Sequence, residues 1–258
     1  MTEPTTVATA NVLCDLSLPE ARRALDLVLE QSPDLVGLQE WSVQRAGLLR
    51  ERGGVGFVAP LARQLPPRLP PLGSAGSGYL WSAPLVGGCV VGARADRFQP
   101  VEARSRLVSL VGRAEHPGRR WGIEPPRLMT VTVYRDLRVG RTVSVICFHL
   151  TPGVQARGRY REDRPALVAR HRQEVRRLQQ VVDEQLACGR MVFALGDSNF
   201  DGLRLVGLES AWQGREDEPG TLGPRRKVDD VHGRGPAESV VTLRTPSDHL
   251  AVVVRRTV

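Results

Sequence analysis

The sequence predicts an α/β fold in which two β-sheets pack face to face and helices cover their outer faces. Strands and helices alternate at the start of the chain, strands dominate its middle, and a long helix followed by further strands completes it. Two packed sheets with outer helices accommodate this order of elements. The chain has 258 residues, 41% of them hydrophobic, which suits one domain, 1–258, with its own core.

Each predicted element follows from periodicity and from residues that begin or end helices. Apolar residues at helical spacing predict a helix at 18–31, which Pro33 ends. Residues 60–78 are rich in Pro, Gly and Ser and predict a surface loop, and residues 112–126 predict a loop with two Pro-bearing turns. The other predicted helices are 42–52, capped by Ser42 and ended by Gly53-Gly54, and 166–187. The predicted strands are 6–12, 34–39, 79–82, 86–93, 104–111, 128–134, 142–149, 191–195, 227–232, 239–243 and 249–255.

The composition is basic, with a formal net charge of +8. Such an excess favours a polyanionic partner, either nucleic acid or an anionic lipid surface. Lys227 is the only lysine, so the excess also fits the arginine-rich composition that GC-rich codon usage produces. Charge alone therefore leaves the partner open.

The cysteines and the N-terminus bear on the compartment. The four cysteines form no CxxC pair and match no zinc-binding spacing, so we expect reduced, mostly buried thiols in a reducing compartment. The first residues lack the basic and apolar regions of a signal peptide, and no apolar run is long enough to span a bilayer. We expect a cytoplasmic monomer without a transmembrane segment.

Polar residues stand at the ends of five apolar strands, where a side chain can be held in a shared cleft. Taken singly, each is better explained as a turn former or a capping residue. Together they supply carboxylates, imidazoles and carboxamides, which suit a hard divalent cation and a phosphoryl transition state. No P-loop, GxSxG or HExxH motif supports a competing mechanism. The strand-end residues are Asn11, Glu40, His149, Asp197 and the pair Asp248-His249.

Five segments resemble, in order, motifs of the endonuclease/exonuclease/phosphatase superfamily. They are TANVL followed by ALDLVLEQSPDLVGLQEW, then SVICFHLTPG, ALGDSNFDG, the stretch SAWQGREDEPGTLGPRRKVDDVHG, and TPSDHLAVVV. The superfamily includes deoxyribonuclease I-like enzymes, exonuclease III-type endonucleases, sphingomyelinases and inositol-polyphosphate phosphatases. The resemblance covers nearly the whole chain. It implies a four-layer α/β/β/α sandwich of two mostly antiparallel sheets and Mg²⁺- or Mn²⁺-dependent phosphoester hydrolysis.

The resemblance also implies roles for individual residues. Glu40 would be the principal metal ligand, with Asn11 as ligand or phosphate contact and Asp248 completing the metal environment. Asp197 would orient or deprotonate the attacking water, and Asn199 would donate to a phosphate oxygen. The implied roles of the remaining residues are His149 at the scissile phosphate or leaving group, His249 as charge stabiliser or base, and Asp229 as the residue that orients His249.

The sequence departs from the family pattern at two positions. Ser198 stands where a large apolar residue is usual, and Asp230 follows Asp229, so Asp230 could compete for His249. We expect His232 to be a packing residue, and Trp41 and Trp212 to be core or cleft walls. The arginines after the histidine motif either grip a phosphate backbone or form a solvated helix entrance. These arginines are Arg157, Arg159, Arg161 and Arg164.

Three functions remain open at this level. The first is a nuclease acting on DNA or RNA, favoured by the positive charge and the arginine-rich stretch. The second is a phosphatase or phosphodiesterase for a small or lipid phosphate. Only 5% of residues are aromatic and the sequence shows no apolar hairpin, which disfavours a lipid substrate. The third is a non-catalytic binding module, disfavoured because Glu40, His149, Asp197 and His249 are all present.

Overall fold

The computed structural model describes residues 4–58, 78–116, 119–156 and 158–257, and it confirms the predicted fold class. The strands are β1 (Pro4–Asn11), β2 (Leu35–Trp41), β3 (Gly53–Val58), β4 (Tyr79–Pro84), β5 (Gly88–Arg94), β6 (Phe98–Ser109), β7 (Gly112–His116), β8 (Arg119–Glu124), β9 (Arg127–Asp136), β10 (Thr142–His149), β11 (Gln155–Ala156), β12 (Arg159–Tyr160), β13 (Met191–Asp197), β14 (Asp229–His232), β15 (Ser239–Arg244) and β16 (Leu250–Thr257). The helices are α1 (Leu18–Leu29), a 3₁₀ turn at Val43–Arg45, α2 (Ala46–Arg50) and α3 (Pro165–Ala187).

Two large sheets form the centre of the fold. The seven-stranded sheet has the order β15-β16-β1-β2-β5-β4-β3, and the five-stranded sheet has the order β14-β13-β10-β9-β6. Most neighbouring strands are antiparallel, but β1–β2, β3–β4 and β10–β13 are parallel pairs. Two short ribbons, β7–β8 and β11–β12, stand apart from the large sheets.

Three hydrophobic clusters separate the four layers. The cluster between the sheets includes Val7, Leu35 and Phe193, all fully buried. A second cluster joins α1 and α2 to the outer face of the seven-stranded sheet. A third joins α3 to the outer face of the five-stranded sheet. Each large apolar side chain buried in this way contributes roughly 1.5–3 kcal/mol, so all three clusters stabilise the fold.

Most predicted elements are confirmed, including the strand β10 and the helix α3. The predicted helix at 42–52 is confirmed in part, because Ser42 precedes a 3₁₀ turn and the five-residue α2, and Gly53-Gly54 begin β3. The predicted loop at 112–126 is wrong, because it contains the hairpin β7–β8. In the described part of the chain, the two strands of this hairpin pair only with each other. Their sequence therefore lacks the alternation of apolar and polar residues that a core strand shows. The predicted loop at 60–78 falls almost wholly outside the described residues.

The cysteines only partly match the expectation of burial. Cys89 and Cys147 are buried, whereas Cys14 and Cys188 are exposed, and all four are free thiols. Within the described part of the chain, no helix has both the length and the apolar character that a membrane span requires.

A buried ion network stabilises the end of the sandwich where β1 begins. Arg97 is 1% exposed and lies 2.9 Å from Asp34 and 2.8 Å from Asp136. It also donates to the hydroxyl of Thr5 at 2.9 Å. The network therefore ties β1 and the segment before β2 to the end of β9.

We expect Arg97→Met to lower the free energy of unfolding by about 3–5 kcal/mol, because it leaves two buried carboxylates without their cation. Arg22→Met is the matched control, since Arg22 pairs with Glu51 at the exposed surface and should cost less than about 1 kcal/mol. Urea unfolding of both variants measures the difference. If both variants lost the same unfolding free energy, Arg97 would act only through its packing.

Candidate functional site

The predicted polar residues meet at one edge of the two sheets. Asn11 and His149 are the last residues of β1 and β10, and Asp197 is the last residue of β13. Asp229 begins the antiparallel strand β14, and His249 immediately precedes β16. The strand directions therefore bring residues that are far apart in the sequence to the same end of the sandwich.

The backbone at two of these positions is unusual. Glu40 has a φ of 56° and Asn199 a φ of 52°, in a region that residues other than glycine rarely adopt. At Glu40 the pairing of β2 with β5 shifts register between Leu38 and Trp41, and such a bulge re-aims a side chain. Rare backbone conformations of this kind cluster at functional sites.

The close approach of two strands explains why a glycine, Gly196, precedes Asp197. Its φ is 152°, and a Cβ atom at this position would lie 1.9 Å from the carbonyl oxygen of Phe148 on the neighbouring strand. No side chain fits there, so only glycine allows β13 to approach β10 closely enough to place Asp197 beside His149. The two residues are paired in the strand register.

Hydrogen bonds centre on the carboxylate of Asp197, which is 1% exposed. The amide nitrogen of Asn11 donates to Asp197 Oδ2 at 3.0 Å and to Glu40 Oε1 at 3.2 Å. The amide nitrogen of Asn199 donates to Asp197 Oδ2 at 3.2 Å and to the carbonyl of Leu150 at 3.0 Å. Both N–H groups of Asn199 are therefore engaged, so in this structure Asn199 holds Asp197 and presents no free donor.

The two predicted imidazoles lie on either side of Asp197. His249 Nδ1 is 2.7 Å from Asp229 Oδ2, and His249 Nε2 is 3.9 Å from Asp197 Oδ2. His149 Nε2 is 3.6 Å from Asp197 Oδ2 and 3.8 Å from Glu40 Oε1. One nitrogen of each ring thus faces the same carboxylate.

Burial and neighbouring charges shift the pKa values at this site. Burial and the nearby charge of Asp229 raise the pKa of Asp197 to about 7. Burial opposes protonation of His249, but the hydrogen bond and charge of Asp229 outweigh it and raise the pKa of His249 to about 9. Burial, together with the positive charges of Arg127 and His249, holds the pKa of His149 well below 6.5. At neutral pH, His249 is therefore the charged imidazole and His149 the neutral one.

The choice between Asp229 and Asp230 is settled by the alternation of side chains along β14. Asp229 faces His249, whereas Asp230 accepts hydrogen bonds from the hydroxyl of Ser210 at 2.6 Å and the backbone amide of Ala211 at 3.0 Å. The indole of Trp212 donates to the carbonyl of Asp229 at 2.9 Å. Asp230 and Trp212 therefore fix the strand rather than compete for the imidazole, and the buried Trp212 is a core residue as predicted.

Two groups of atoms in the site are candidates for metal binding. Oxygen or nitrogen atoms of Asp197, Asp229 and His249 lie within 4.8 Å of one another. However, Asp229 Oδ2 is already bound to His249. Glu40 is 21% exposed at its side chain, and the buried Oδ1 atoms of Asn11 and Asp229 have no hydrogen-bond partner. Oxygen donors of this kind suit a hard cation, so the residues of the site fit a divalent metal.

In the described part of the chain, the remaining predicted residues are exposed or bind partners outside the cluster around Asp197. Asp248 is exposed and accepts a hydrogen bond from Ser247 at 3.3 Å. Arg159 is exposed on β12, whereas Arg161 is bound to Asp163 through two hydrogen bonds of 2.9 and 2.6 Å. Arg157 lies outside the described residues. Arg164 donates to the carbonyl of Gly153 at 3.1 Å.

Two residues that contribute to the candidate site were not identified from the sequence. The backbone amide of Cys14 donates to Glu40 Oε2 at 3.0 Å. The hydroxyl of Thr221 accepts from the backbone amides of Val228 at 3.2 Å and Asp229 at 3.1 Å. The resemblance of this stretch to a Trp–Thr–Asp motif was a signal for Thr221, whereas a backbone donor such as Cys14 leaves none.

A cleft of about 1000 Å³ lies at the opposite end of the sheets, where β10 and β13 begin. Arg141, Arg190 and Arg234 line it, and none of the predicted site residues does. The clustered carboxylates and imidazoles lie at the other edge of the sheets, so we place the candidate site there and not in this cleft.

The fold is that of the endonuclease/exonuclease/phosphatase superfamily. Solved structures similar to the chain include D. rerio TDP2 complexed with single strand DNA product, with 15% identity, a TM-score of 0.65, and coverage of 99% of this chain and 100% of that one. A family protein from Bacteroides thetaiotaomicron has 14% identity, a TM-score of 0.63, and coverage of 99% and 98%. The mannosyl-6-phosphatase Bt3783 of B. thetaiotaomicron VPI-5482 has 15% identity, a TM-score of 0.62, and coverage of 97% and 98%. No protein-family model and no curated protein matches the chain.

We expect Asp229→Asn to lower the pKa of His249 from about 9, because the hydrogen bond and charge of Asp229 are lost while burial still acts against the smaller effects of Asp197 and Asp248. The ring would then lose its proton at a lower pH than the wild-type ring, which loses it as the pH rises through about 9. NMR titration of the ring in metal-free protein measures the change. Asp230→Asn is the control and should leave this pKa unchanged, whereas an equal drop would assign the pairing to Asp230.

Proposed function

We propose that this protein is a divalent-metal-dependent phosphoesterase that hydrolyses phosphodiesters. The observation that carries the proposal is the convergence on Asp197 of two carboxamides and two imidazoles, with Glu40 beside them. Phosphoryl transfer requires positive charge and donors around the phosphate and a group that directs the attacking water. The residue types and their spacing meet those requirements.

A metal ion fits the oxygen donors of Glu40 and Asn11, with Asp248 at the exposed rim. We propose Mg²⁺ or Mn²⁺, which would polarise a phosphoryl oxygen and offset the negative charge of the substrate. Asn11 suits this role because its N–H groups point to Glu40 and Asp197 while its Oδ1 atom has no partner.

Three side chains, those of Asp197, His249 and His149, carry out the other parts of the reaction. Asp197 directs a water molecule at phosphorus and takes its proton as the P–O bond forms and the bond to the leaving oxygen breaks. His249, protonated and fixed by Asp229, stabilises the charge that develops on the phosphoryl oxygens. Of the two roles that the resemblance allows, a raised pKa favours charge stabiliser over base. His149, neutral and beside both Glu40 and Asp197, contacts the scissile phosphate or the leaving group.

We propose nucleic acid as the substrate. The net charge of +8 supports this, and so does the exposed Arg159 on the ribbon β11–β12 next to the site. Among the similar structures, D. rerio TDP2 is complexed with a single strand DNA product. A basic surface beside a phosphodiester site would draw a polyanion by counterion release.

We expect Glu40→Gln, Asp197→Asn and His249→Ala each to lower the rate of Mg²⁺-dependent cleavage by about 10²- to 10⁴-fold, because each removes a group that acts on the phosphate or the water. The assay is a panel of plasmid DNA, abasic duplex, single-stranded RNA, bis-p-nitrophenyl phosphate and inositol phosphates with Mg²⁺, Mn²⁺ or EDTA. The controls Glu30→Gln and Asp183→Asn change exposed carboxylates and should retain full activity. Wild-type cleavage by Asp197→Asn would refute the proposed site.

We expect Arg159→Ala to weaken oligonucleotide binding and to lower the slope of log affinity against log salt by about 1. Arg161→Ala should lower the slope much less, because Asp163 already offsets the charge of Arg161. Fluorescence anisotropy at several salt concentrations measures both variants. Equal slopes for all three proteins would place the nucleic acid elsewhere.

A lipid phosphate is the second candidate, and one observation favours it. The sequence predicted no apolar hairpin, but the structure contains β7–β8, beside which Leu110 and Val111 are 65% and 63% exposed and within which Ile123 is 73% exposed. The hairpin leaves the sheet between β6 and β9 at the catalytic end, where Arg127 donates to the carbonyl of His149 at 3.4 Å. Release of head group from labelled liposomes, with no cleavage of oligonucleotides, would select this function.

A further inference from the structure

A buried histidine outside the proposed catalytic set makes two hydrogen bonds. His171 lies in α3 and is 0% exposed. Its Nε2 atom is 2.8 Å from the carbonyl oxygen of Ser198, and its Nδ1 atom is 3.1 Å from the hydroxyl of Tyr160. The ring therefore lies between the turn that follows β13 and the ribbon β11–β12.

The partners of His171 determine its tautomer. A carbonyl oxygen only accepts, so Nε2 must carry the proton that it shares with Ser198. The Nδ1 atom of the neutral ring then accepts the hydroxyl proton of Tyr160, which leaves both ring nitrogens satisfied. Burial lowers the pKa of His171 and so keeps the ring neutral.

The ribbon and the turn are joined by other contacts as well. Gln155 donates to the carbonyl of Asp201 at 3.2 Å and accepts from its backbone amide at 2.9 Å. The ring of Tyr160 packs on the ring of Phe200, with centroids 4.4 Å apart. The ribbon that carries Arg159 is therefore attached to residues 198–201.

The turn also carries Asn199, which holds Asp197. The carbonyl that His171 binds belongs to Ser198, the residue directly before Asn199, whose φ of 52° is a rare conformation. Both amide N–H groups of Asn199 are committed to Asp197 and Leu150. A shift of the Ser198 peptide would therefore change the position of Asn199 and, through it, of Asp197.

We propose that His171 is a positioning residue that couples the substrate-side ribbon to the turn holding Asn199 and Asp197. The proposal rests on the phosphoesterase function given above. Tyr160 contributes to the same coupling, because its hydroxyl donates to the Nδ1 atom of His171 and so links the ring to the ribbon. Packing alone would require neither a fixed tautomer nor a particular nitrogen at the carbonyl.

The first experiment measures hydrolysis of bis-p-nitrophenyl phosphate by the Mg²⁺-loaded full chain. We expect His171→Leu to lower kcat about 10-fold or more with little change in KM, since the small substrate does not reach the ribbon. Tyr160→Phe should lower kcat about 3- to 10-fold, as expected for one lost hydrogen bond. His171→Gln, whose amide can still donate to Ser198, should recover part of the loss.

His232→Leu is the matched control, because His232 is also 0% exposed and neither of its ring nitrogens has a hydrogen-bond partner. Its charged contact, from Nε2 to Asp230 Oδ2 at 3.3 Å, lies on the side of β14 away from His249. This variant should lower the melting temperature and leave kcat unchanged when assayed well below it. Wild-type kcat in folded His171→Leu, or an equal kcat loss in both leucine variants, would overturn the proposal.

A second experiment needs no catalysis. In ¹⁵N NMR spectra of the wild-type protein, the His171 ring should carry its proton on Nε2, and Tyr160→Phe should leave the proton there but shift the Asn199 amide signals. A proton on Nδ1, or unchanged Asn199 signals, would overturn the coupling. If the wild-type protein hydrolyses no phosphodiester, the proposed function fails, while these spectra still decide whether His171 positions the turn.

Discussion

The site depends on two parallel strand pairs, β1–β2 in one large sheet and β10–β13 in the other. In a parallel pair the carboxyl ends of both strands reach the same edge, so Asn11 lies beside Gln39 and His149 beside Asp197. Packing of the sheets then brings the two pairs together, and the bond from Asn11 to Asp197 joins them across the interface at 3.0 Å. The sheets approach closely here, since a Cβ atom at Gly37 would lie 2.1 Å from Leu195 Cδ1.

This arrangement places charge where the core would otherwise exclude it. Asp197 and Asp229 are 1% and 0% exposed, and the burial of Asp197 beside the charge of Asp229 opposes its ionisation. The fold offsets that cost with the amides of Asn11 and Asn199 and with the positive charge of His249. The same cluster prepares its residues for chemistry, because burial and Asp229 raise the pKa of Asp197 while the hydrogen bond and charge of Asp229 raise the pKa of His249.

The sequence predicted the parts of the fold whose periodicity is strong. Strand β10 and helix α3 follow directly from a continuous apolar run and an amphipathic repeat. It did not predict the 3₁₀ turn that shortens α2 or the hairpin β7–β8, because both depend on contacts made only in the folded chain.

For the candidate site, the sequence predicted the residues but not their geometry. Which polar residues converge could be predicted, because each stands at a strand end. Sequence motifs could not show that the Asn199 amide is fully engaged or that a bulge turns Glu40, since both depend on backbone conformation. The choice of Asp229 over Asp230 was available in principle. Val231 belongs to the core between the sheets, and its alternation partner two residues earlier is Asp229.

Under the proposed function, substrate choice depends on two elements that α3 holds near the strand ends. Arg170 donates to the carbonyl of Leu110 at 2.7 Å, and Glu115 accepts from the backbone amides of Ala166 and Leu167 at 3.1 and 3.0 Å, which anchors the hairpin β7–β8. His171, the residue after Arg170, anchors the ribbon β11–β12 through Tyr160. The first two turns of α3 therefore hold both the hairpin and the ribbon that carries Arg159. If the proposed function is correct, a polymeric phosphate would contact the ribbon and a lipid phosphate the hairpin, while the residues at the strand ends would perform the same chemistry on either.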